Sequence, residues 1–228
     1  MKDESCIYCG SKEQLTRDHI PPKTLFLTPL PSDLITVPCC EKCNSSFSKD
    51  DEYFRNMLVS CEPVCSDSNA QAINQKFLRS IRRPKAIGLK QSVLKNLHIV
   101  EIKTPAGLYI GKAPAIRVDR KRFNRMLDRI ARGLFYKISG YTVPNAYDIR
   151  IVFQDSWLSK PVEFLDYFKN DWQPLSYIGN RIFAYSYAIC IDNPNAMALL
   201  FIFYEKLYFW GIIYPSDKLQ TDGDDRTR

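Results

Sequence analysis

Two Cys-x-x-Cys pairs near the start of the chain could bind one zinc ion. Cys6 and Cys9 form the first pair, and Cys40 and Cys43 form the second. Zinc in structural sites is tetrahedral and accepts four thiolates, and a two-residue gap lets both sulfurs of a pair reach the same ion. Cys39 adjoins the second pair and competes for the same role, although the gap to Cys43 favours Cys40. The spacing therefore predicts a structural zinc site that closes a loop of about 30 residues.

An acid–histidine pair lies inside this loop, and an asparagine follows it. Asp18 and His19 are adjacent, and Asn44 directly follows the last cysteine of the second pair. A carboxylate and an amide oxygen held close together could bind a hard divalent ion such as Mg²⁺, which prefers oxygen ligands. A neutral imidazole, whose ordinary pKa is about 6.5, could then take a proton from water. The other histidine, His98, is expected to be a packed or surface residue.

The order of these residues resembles that of the HNH endonuclease family. The matching pattern is Cys-x-x-Cys, then Asp-His-Ile-Pro-Pro, then Cys-x-x-Cys-Asn, followed by the Ser-Lys-Asp-Asp-Glu-Tyr-Phe run of residues 48–54. The resemblance is closest to bacterial HNH proteins with a four-cysteine zinc knuckle. It covers residues 1–60 strongly and the remainder loosely. It implies a ββα-metal finger that hydrolyses phosphodiester bonds in DNA, with RNA left open as a substrate.

The resemblance also implies roles for individual residues. His19 would deprotonate the attacking water, while Asp18 and Asn44 would hold one catalytic Mg²⁺ or Mn²⁺. Such nucleases serve restriction and phage-defence systems, so a defence role and a partner protein of such a system are further expectations. A zinc-dependent nucleic-acid-binding or partner-interaction module, without catalysis, is the alternative reading of the same residues.

The chain departs from the family pattern at two positions. Asp33 or Ile35 lies where members often have a middle asparagine, and Ser48 lies where many have a final histidine. Fewer protein ligands would then hold the catalytic ion, and Asp51 or Glu52 could assist.

Charge is distributed unevenly along the chain. The net charge is +7, but residues 1–66 carry 7 Lys/Arg against 10 Asp/Glu, and residues 67–228 carry 25 against 15. The first part holds the predicted metal site. The second part would therefore have to supply most of the attraction for a polyanion such as nucleic acid.

The composition predicts a reduced, cytoplasmic protein with a sizeable core. Hydrophobic residues make up 45% of the chain, and the first residues lack the apolar core of a secretory signal. The apolar stretches within 182–214 are interrupted by charges and are too short to span a membrane. Cys61, Cys65 and Cys190 are interpreted as small buried hydrophobes. A second metal half-site at Cys61 and Cys65 is the weaker reading.

We predict an α+β fold in two parts. Residues 1–66 form the zinc-bearing ββα unit, and residues 67–228 form an α+β domain with a mainly antiparallel sheet that binds substrate or a partner. The tail 216–228 is expected to be disordered. In the first part, strands are predicted at 15–17 and 34–37, with one helix from residue 40 and a second from residue 48. In the second part, helices are predicted over 70–83 and 120–139. Strands are predicted near 98–102, 108–110, 115–118, 147–153, 181–192 and 196–214. Residues 162–168 could form a helix or a strand.

One predicted helix carries a stripe of arginines at helical spacing. Arg122, Arg125, Arg129 and Arg132 would lie on one face of the 120–139 helix. The stripe is either a phosphate-contacting, nucleic-acid-binding face or an ordinary solvated surface, and the sequence does not choose between them. The aromatic residues between positions 177 and 214 are interpreted as core.

Overall fold

The computed structural model describes residues 4–84, 87–104, 106–153 and 172–216. Helix and strand are both abundant, and every strand pairing is antiparallel, which confirms the α+β prediction. The ambiguous segment 162–168 and the predicted disordered tail from residue 217 onwards lie outside the described residues.

The chain begins with a strand–strand–helix unit. Strand β1 (Leu15–Ile20) pairs with β2 (Ile35–Cys40), and helix α1 (Glu41–Val59) follows directly. The predicted end of the second strand at Pro38 was wrong. A two-stranded hairpin tolerates a proline where no further strand needs its N–H, and the pairing runs on to Cys40 opposite Leu15. The second helix predicted from residue 48 is part of α1, because nothing between residues 44 and 48 breaks the helix.

The next segment forms two helices and a separate hairpin. Helix α2 (Ser68–Arg82) starts at Asp67, whose Oδ1 accepts hydrogen bonds from the backbone N–H groups of Asn69 and Ala70, both at 2.9 Å. Helix α3 (Ile87–Asn96) leads into strand β3 (Leu97–Lys103), which pairs with β4 (Tyr109–Ile116). Helix α3 was missed, because Gly88 and a weak apolar periodicity hide it.

The last part consists of one long helix on a five-stranded sheet. Helix α4 (Arg120–Ser139) has the predicted bounds, with Gly140 in the left-handed conformation at φ 82° after its end. The sheet has the order β5-β9-β8-β7-β6. Its strands are β5 (Tyr147–Phe153), β6 (Ser176–Ile178), β7 (Phe183–Cys190), β8 (Asn193–Phe203) and β9 (Leu207–Pro215).

The main apolar core crosses the predicted boundary at residue 66. Phe54 of α1 lies 4.7 Å from Phe123 of α4 and 5.5 Å from Phe203 of β8, measured between ring centroids. Phe183, Phe201, Phe203 and Phe209 pack in this core, as predicted, whereas the core prediction was wrong for Tyr177, which is 45% exposed. Helix α4 is therefore fixed against both the first hairpin and the large sheet. Among the described residues, no helix combines the length and the apolar character needed to cross a bilayer.

Candidate zinc site and its neighbouring ion cluster

Four cysteine sulfurs converge at the base of the first hairpin. The Sγ atoms of Cys6, Cys9, Cys40 and Cys43 all lie within 4.8 Å of one another, and those of Cys9 and Cys40 are 3.6 Å apart. Tetrahedral zinc with Zn–S bonds of about 2.3 Å requires sulfurs about 3.8 Å apart. The donor set and its spacing are therefore compatible with a structural zinc site. Cys39 is not one of the four converging cysteines, and its Sγ–H donates to the carbonyl oxygen of Cys40 at 3.4 Å.

Local backbone geometry places the first pair of thiols. Gly10, with φ 75°, closes a tight turn in which its N–H donates to the carbonyl of Cys6 at 2.8 Å. Burial opposes ionisation of the Cys6 thiol, but backbone N–H donors, first that of Cys40, outweigh it and lower its pKa to about 7. Burial instead raises the pKa of Cys43. Zinc binds the thiolate, so Cys6 is the cysteine most readily available as a ligand.

The Asp18 carboxylate is buried and fully engaged. Its side chain is 2% exposed. Arg129 of α4 donates to it through two nitrogens, Nε to Oδ2 at 2.7 Å and Nη2 to Oδ1. The Tyr8 hydroxyl donates to Oδ2 at 2.7 Å, and burial together with the neighbouring carboxylate raises the pKa of Tyr8. The negative charge of Asp18 is therefore balanced by the guanidinium of Arg129.

Arg129 is the centre of this ion cluster. It also donates to Asp51 of α1, and its guanidinium stacks 4.2 Å above the ring of Phe47. Burial raises the pKa of Asp51 to about 6, an effect that Arg129 partly offsets. The two carboxylates in turn raise the pKa of Arg129, against the effect of burial. We call Asp18, Asp51 and Arg129 the buried ion cluster.

His19 and Asp18 occupy opposite faces of β1. Consecutive side chains alternate across a strand, and His19 pairs with Thr36 of β2 in the hairpin register. The imidazole is half-buried, and burial, followed by the nearby Lys23, lowers its pKa. His19 is therefore neutral at pH 7, on the side of the hairpin away from the ion cluster.

The side chain of Asn44 on α1 makes hydrogen bonds to β1. Its Nδ2 donates to Thr16 Oγ1 at 3.0 Å and to the carbonyl oxygen of Arg17 at 3.4 Å. The amide lies near the start of β1, whereas the Asp18 carboxylate faces Arg129 farther along the strand. Each Asp18 oxygen already accepts a hydrogen bond from Arg129, so a divalent ion bound there would lie next to the charge of the guanidinium. In this arrangement both side chains are held by contacts within the protein.

The positions where the chain departs from the HNH pattern have other contacts. The Asp33 carboxylate accepts a hydrogen bond from the backbone N–H of Gly179 at 3.2 Å, and Ile35 is buried opposite Ile20. Ser48 donates to the carbonyl of Ser45 at 3.0 Å. None of these contacts involves the ion cluster.

Glu52 pairs with Arg55 on α1, with an N–O distance of 3.4 Å. Of the two acidic residues expected to assist with the ion, Asp51 joins Asp18 through Arg129.

The predicted arginine stripe is paired with carboxylates along its whole length. Arg122 and Arg125 contact the two oxygens of Asp50 at 2.8 and 2.7 Å. Arg129 is only 3% exposed and belongs to the ion cluster. Arg132 pairs with Asp128 at 2.9 Å. Arg129 therefore does not lie on a solvated surface, and the other three arginines share two carboxylates, Asp50 and Asp128.

Sequence reasoning missed Asp50 and the link from Arg129 to Asp18. Asp50 and Asp51 were visible as consecutive acids on one helix, and Arg129 as one of four arginines at helical spacing. Nothing in the order of residues joins positions 18 and 129, because their contact depends on how α4 packs.

The remaining candidates have simple structural roles. His98 is exposed, with Nδ1 3.3 Å from the carbonyl oxygen of Asn96. Cys61 Sγ donates to the carbonyl of Met57 at 3.3 Å, and Cys65 Sγ to that of Glu62 at 3.0 Å. Cys190 is buried as predicted and Cys61 is partly buried, but the prediction of burial was wrong for Cys65, which is exposed; Cys61 and Cys65 do not join the four-cysteine cluster.

No family model, curated protein or solved structure matches this chain. The resemblance to HNH proteins therefore depends on the motif residues alone.

Proposed function

We propose that the protein is a zinc-folded nucleic-acid-binding protein built on an HNH-type unit, and that it binds its target without hydrolysing it. The observation that supports binding over hydrolysis is the engagement of Asp18 by Arg129. Asp18 is the residue that the resemblance assigns to the catalytic ion.

Charge distribution supports nucleic acid as the target. Residues 67–228 carry 25 Lys/Arg against 15 Asp/Glu, whereas residues 1–66 are net acidic. Basic side chains that neutralise phosphates supply most of the non-specific affinity for nucleic acid. DNA is the first candidate and RNA the second. A place in a restriction or phage-defence system, with a partner protein, is part of the same proposal by resemblance alone.

The energetics of Asp18 support the absence of hydrolysis. Breaking a buried ion pair costs about 3–5 kcal/mol, because it leaves a charge without a partner. Mg²⁺ loses its own water ligands reluctantly and usually binds where carboxylates remain accessible. Helix α4 is also held against β1 by close packing, since a Cβ at Gly133 would overlap the Ile20 side chain. Arg129 is therefore held at Asp18, where its positive charge opposes the binding of a cation.

Metal-dependent hydrolysis, as an HNH-type endonuclease using Mg²⁺ or Mn²⁺, is the second candidate. The observation that favours it is His19, a half-buried imidazole with a lowered pKa next to Asp18 in the zinc-bearing unit. A neutral imidazole of this kind can accept a proton at neutral pH.

A cleavage and binding assay on the zinc-loaded protein separates these candidates. We expect a labelled 20-base-pair duplex to be bound at 50 mM salt, with a Kd of about 1–100 µM. Supercoiled plasmid should stay intact with Mg²⁺ or Mn²⁺. Plasmid cleavage that His19→Ala abolishes, and that the matched variant His98→Ala retains, would establish the endonuclease. A protein that neither binds nor cuts nucleic acid would overturn both candidates.

A further inference from the structure

The positive charge of the chain is concentrated in one segment. Positions 76–117 contain ten of the 32 Lys/Arg residues of the chain and one of its 25 Asp/Glu residues. The rest of the chain therefore has 22 basic and 24 acidic residues. This segment runs from the end of α2 through α3 to the end of β4. We call it the basic arm. Outside the basic arm the protein is slightly acidic.

The cations of the basic arm differ from those of α4 in their surroundings. Its exposed basic side chains are Lys76, Arg79, Arg82, Arg83, Lys95, Lys103, Lys112 and Arg117. Within the described residues, the ion pair found for this set is Lys103 with Glu101, at 3.2 Å. Exposed charges without carboxylate partners keep their field, so they attract a polyanion.

The hairpin of the basic arm extends from the rest of the fold. Strands β3 and β4 form a sheet of their own, and most of their residues are exposed on both faces. Backbone contacts fix its base: the Arg117 N–H donates to the Asn96 carbonyl at 2.8 Å, and the Asp119 N–H to the Tyr53 hydroxyl at 2.6 Å. A two-stranded hairpin is at best marginally stable alone in water. A binding partner would therefore stabilise it.

The shape of the hairpin fits a groove of duplex nucleic acid. The major groove of B-DNA is about 12 Å wide and admits a two-stranded β-ribbon. Gly107, with φ 85°, closes the turn, and the tip presents Leu108 and Ile110, which are 70% and 63% exposed. Apolar side chains at the tip of a basic element can pack against bases or sugars in a groove.

A lipid surface fits the hairpin less well. Ile99 and Ile102 are both exposed, yet an odd spacing along a strand places them on opposite faces. A segment that lies on a membrane needs its apolar residues on one face. The hairpin has apolar residues on both faces, so a ligand that surrounds it suits it better.

We propose that the basic arm is the surface that contacts double-stranded nucleic acid, with the β3–β4 hairpin in a groove and the exposed Lys and Arg side chains on phosphates. This inference depends on the proposed function for the identity of the partner and adds the surface that binds it.

Matched charge variants test the proposal. The arm variant is Lys95→Gln/Lys103→Gln/Lys112→Gln, and the control variant is Lys137→Gln/Arg150→Gln/Lys206→Gln, which removes the same charge from exposed positions outside the arm. The probe is a labelled 20-base-pair duplex, followed by fluorescence anisotropy between 50 and 200 mM KCl. Thermal unfolding of each variant establishes that folding is unchanged.

The expected difference between the two variants lies in how their affinity for the duplex depends on salt concentration. Each phosphate contact contributes about 0.9 to the slope of log K against log salt. The arm variant should therefore lose about 2–3 from the slope and bind at least about tenfold more weakly at 100 mM salt. The control should stay within about twofold of the unmodified protein. Equal losses in both variants, or no loss in the arm variant, would overturn the proposal.

Further outcomes separate this proposal from the proposed function. If the unmodified protein fails to bind duplex, both fall together, and binding to phosphatidylserine vesicles in its place would identify a membrane partner. If it binds duplex and the arm variant binds equally well, only the basic arm is wrong. If it cuts plasmid and the arm variant raises the KM, the basic arm is retained and the assignment of binding without hydrolysis falls.

Discussion

Helix α4 and the basic arm are both rich in arginine and lysine, yet the fold uses them in opposite ways. Each arginine of the α4 stripe contacts a carboxylate, and Arg129 is buried between Asp18 and Asp51. Within the part of the chain that the structure describes, the ion pair found for the exposed cations of the arm is Lys103 with Glu101. The comparison shows that a basic pattern indicates a binding surface only when no carboxylate on a neighbouring element neutralises it.

The physical consequences of the two arrangements differ. A guanidinium in the core loses its hydration, so its carboxylate partners must compensate and removal of one partner is costly. A lysine on the surface keeps its hydration, and its removal has little effect on folding. The ion cluster should therefore affect stability, and the basic arm should affect binding.

The largest effect is expected from removing zinc, on which the ion cluster depends and the arm does not. Cys40→Ser should abolish zinc binding and unfold the first hairpin, because structural zinc can contribute about 10 kcal/mol to a small unit. The neighbouring variant Cys39→Ser should retain one zinc per chain, since Cys39 lies outside the four-sulfur cluster. The metal content of each variant measures its zinc binding, and near-ultraviolet circular dichroism measures its folding. Equal zinc loss in the two variants would contradict the site.

The second effect concerns the ion cluster itself. Arg129→Met should lower the free energy of unfolding by about 3–5 kcal/mol, because two carboxylates are left without their cation. The matched variant Arg132→Met removes a partly exposed pair and should cost at most about 1 kcal/mol. Urea unfolding compares the two. Similar values would show that the buried and the surface arginines of α4 are equivalent.

The third effect is a dependence on pH. Burial raises the pKa of Asp51 to about 6 from its ordinary value near 4. Between these values the folded protein holds a proton that the unfolded chain releases, so stability falls as pH rises from about 4 to about 6, by at most about 3 kcal/mol. Asp51→Asn should flatten this part of the stability–pH curve. An unchanged curve would show that Asp51 ionises normally in the folded state.

The smallest effect tests the packing that brings Arg129 to Asp18. Gly133→Ala should cost about 1–3 kcal/mol, because the new Cβ would overlap the Ile20 side chain. Gly111→Ala in the hairpin is the matched control, since a Cβ there meets nothing within 4 Å. Thermal unfolding separates them. A stable Gly133→Ala protein would indicate that α4 is not tightly fixed against β1.

Much of the fold could be predicted from local signals. Asp119 and Gly140 mark the ends of α4 because each satisfies the backbone of a helix terminus. The two-residue cysteine gaps identified the four-sulfur cluster, because the reach of the side chains sets that spacing. Helix α3 and the continuation of α1 through Ser48 were missed, because neither has a strong periodic or breaking signal of its own.

The sequence by itself determined the cysteine cluster, the ends of α4 and the antiparallel α+β character, since each depends on residues close together in the chain or on simple periodicity. Only the tertiary structure decided the state of Asp18 and of the α4 arginines. The contact of Asp18 with Arg129 spans 111 residues, and it forms because Gly133 lets α4 approach β1 closely. Whether a charged side chain is balanced or available depends on the element packed against it, which the order of residues does not state.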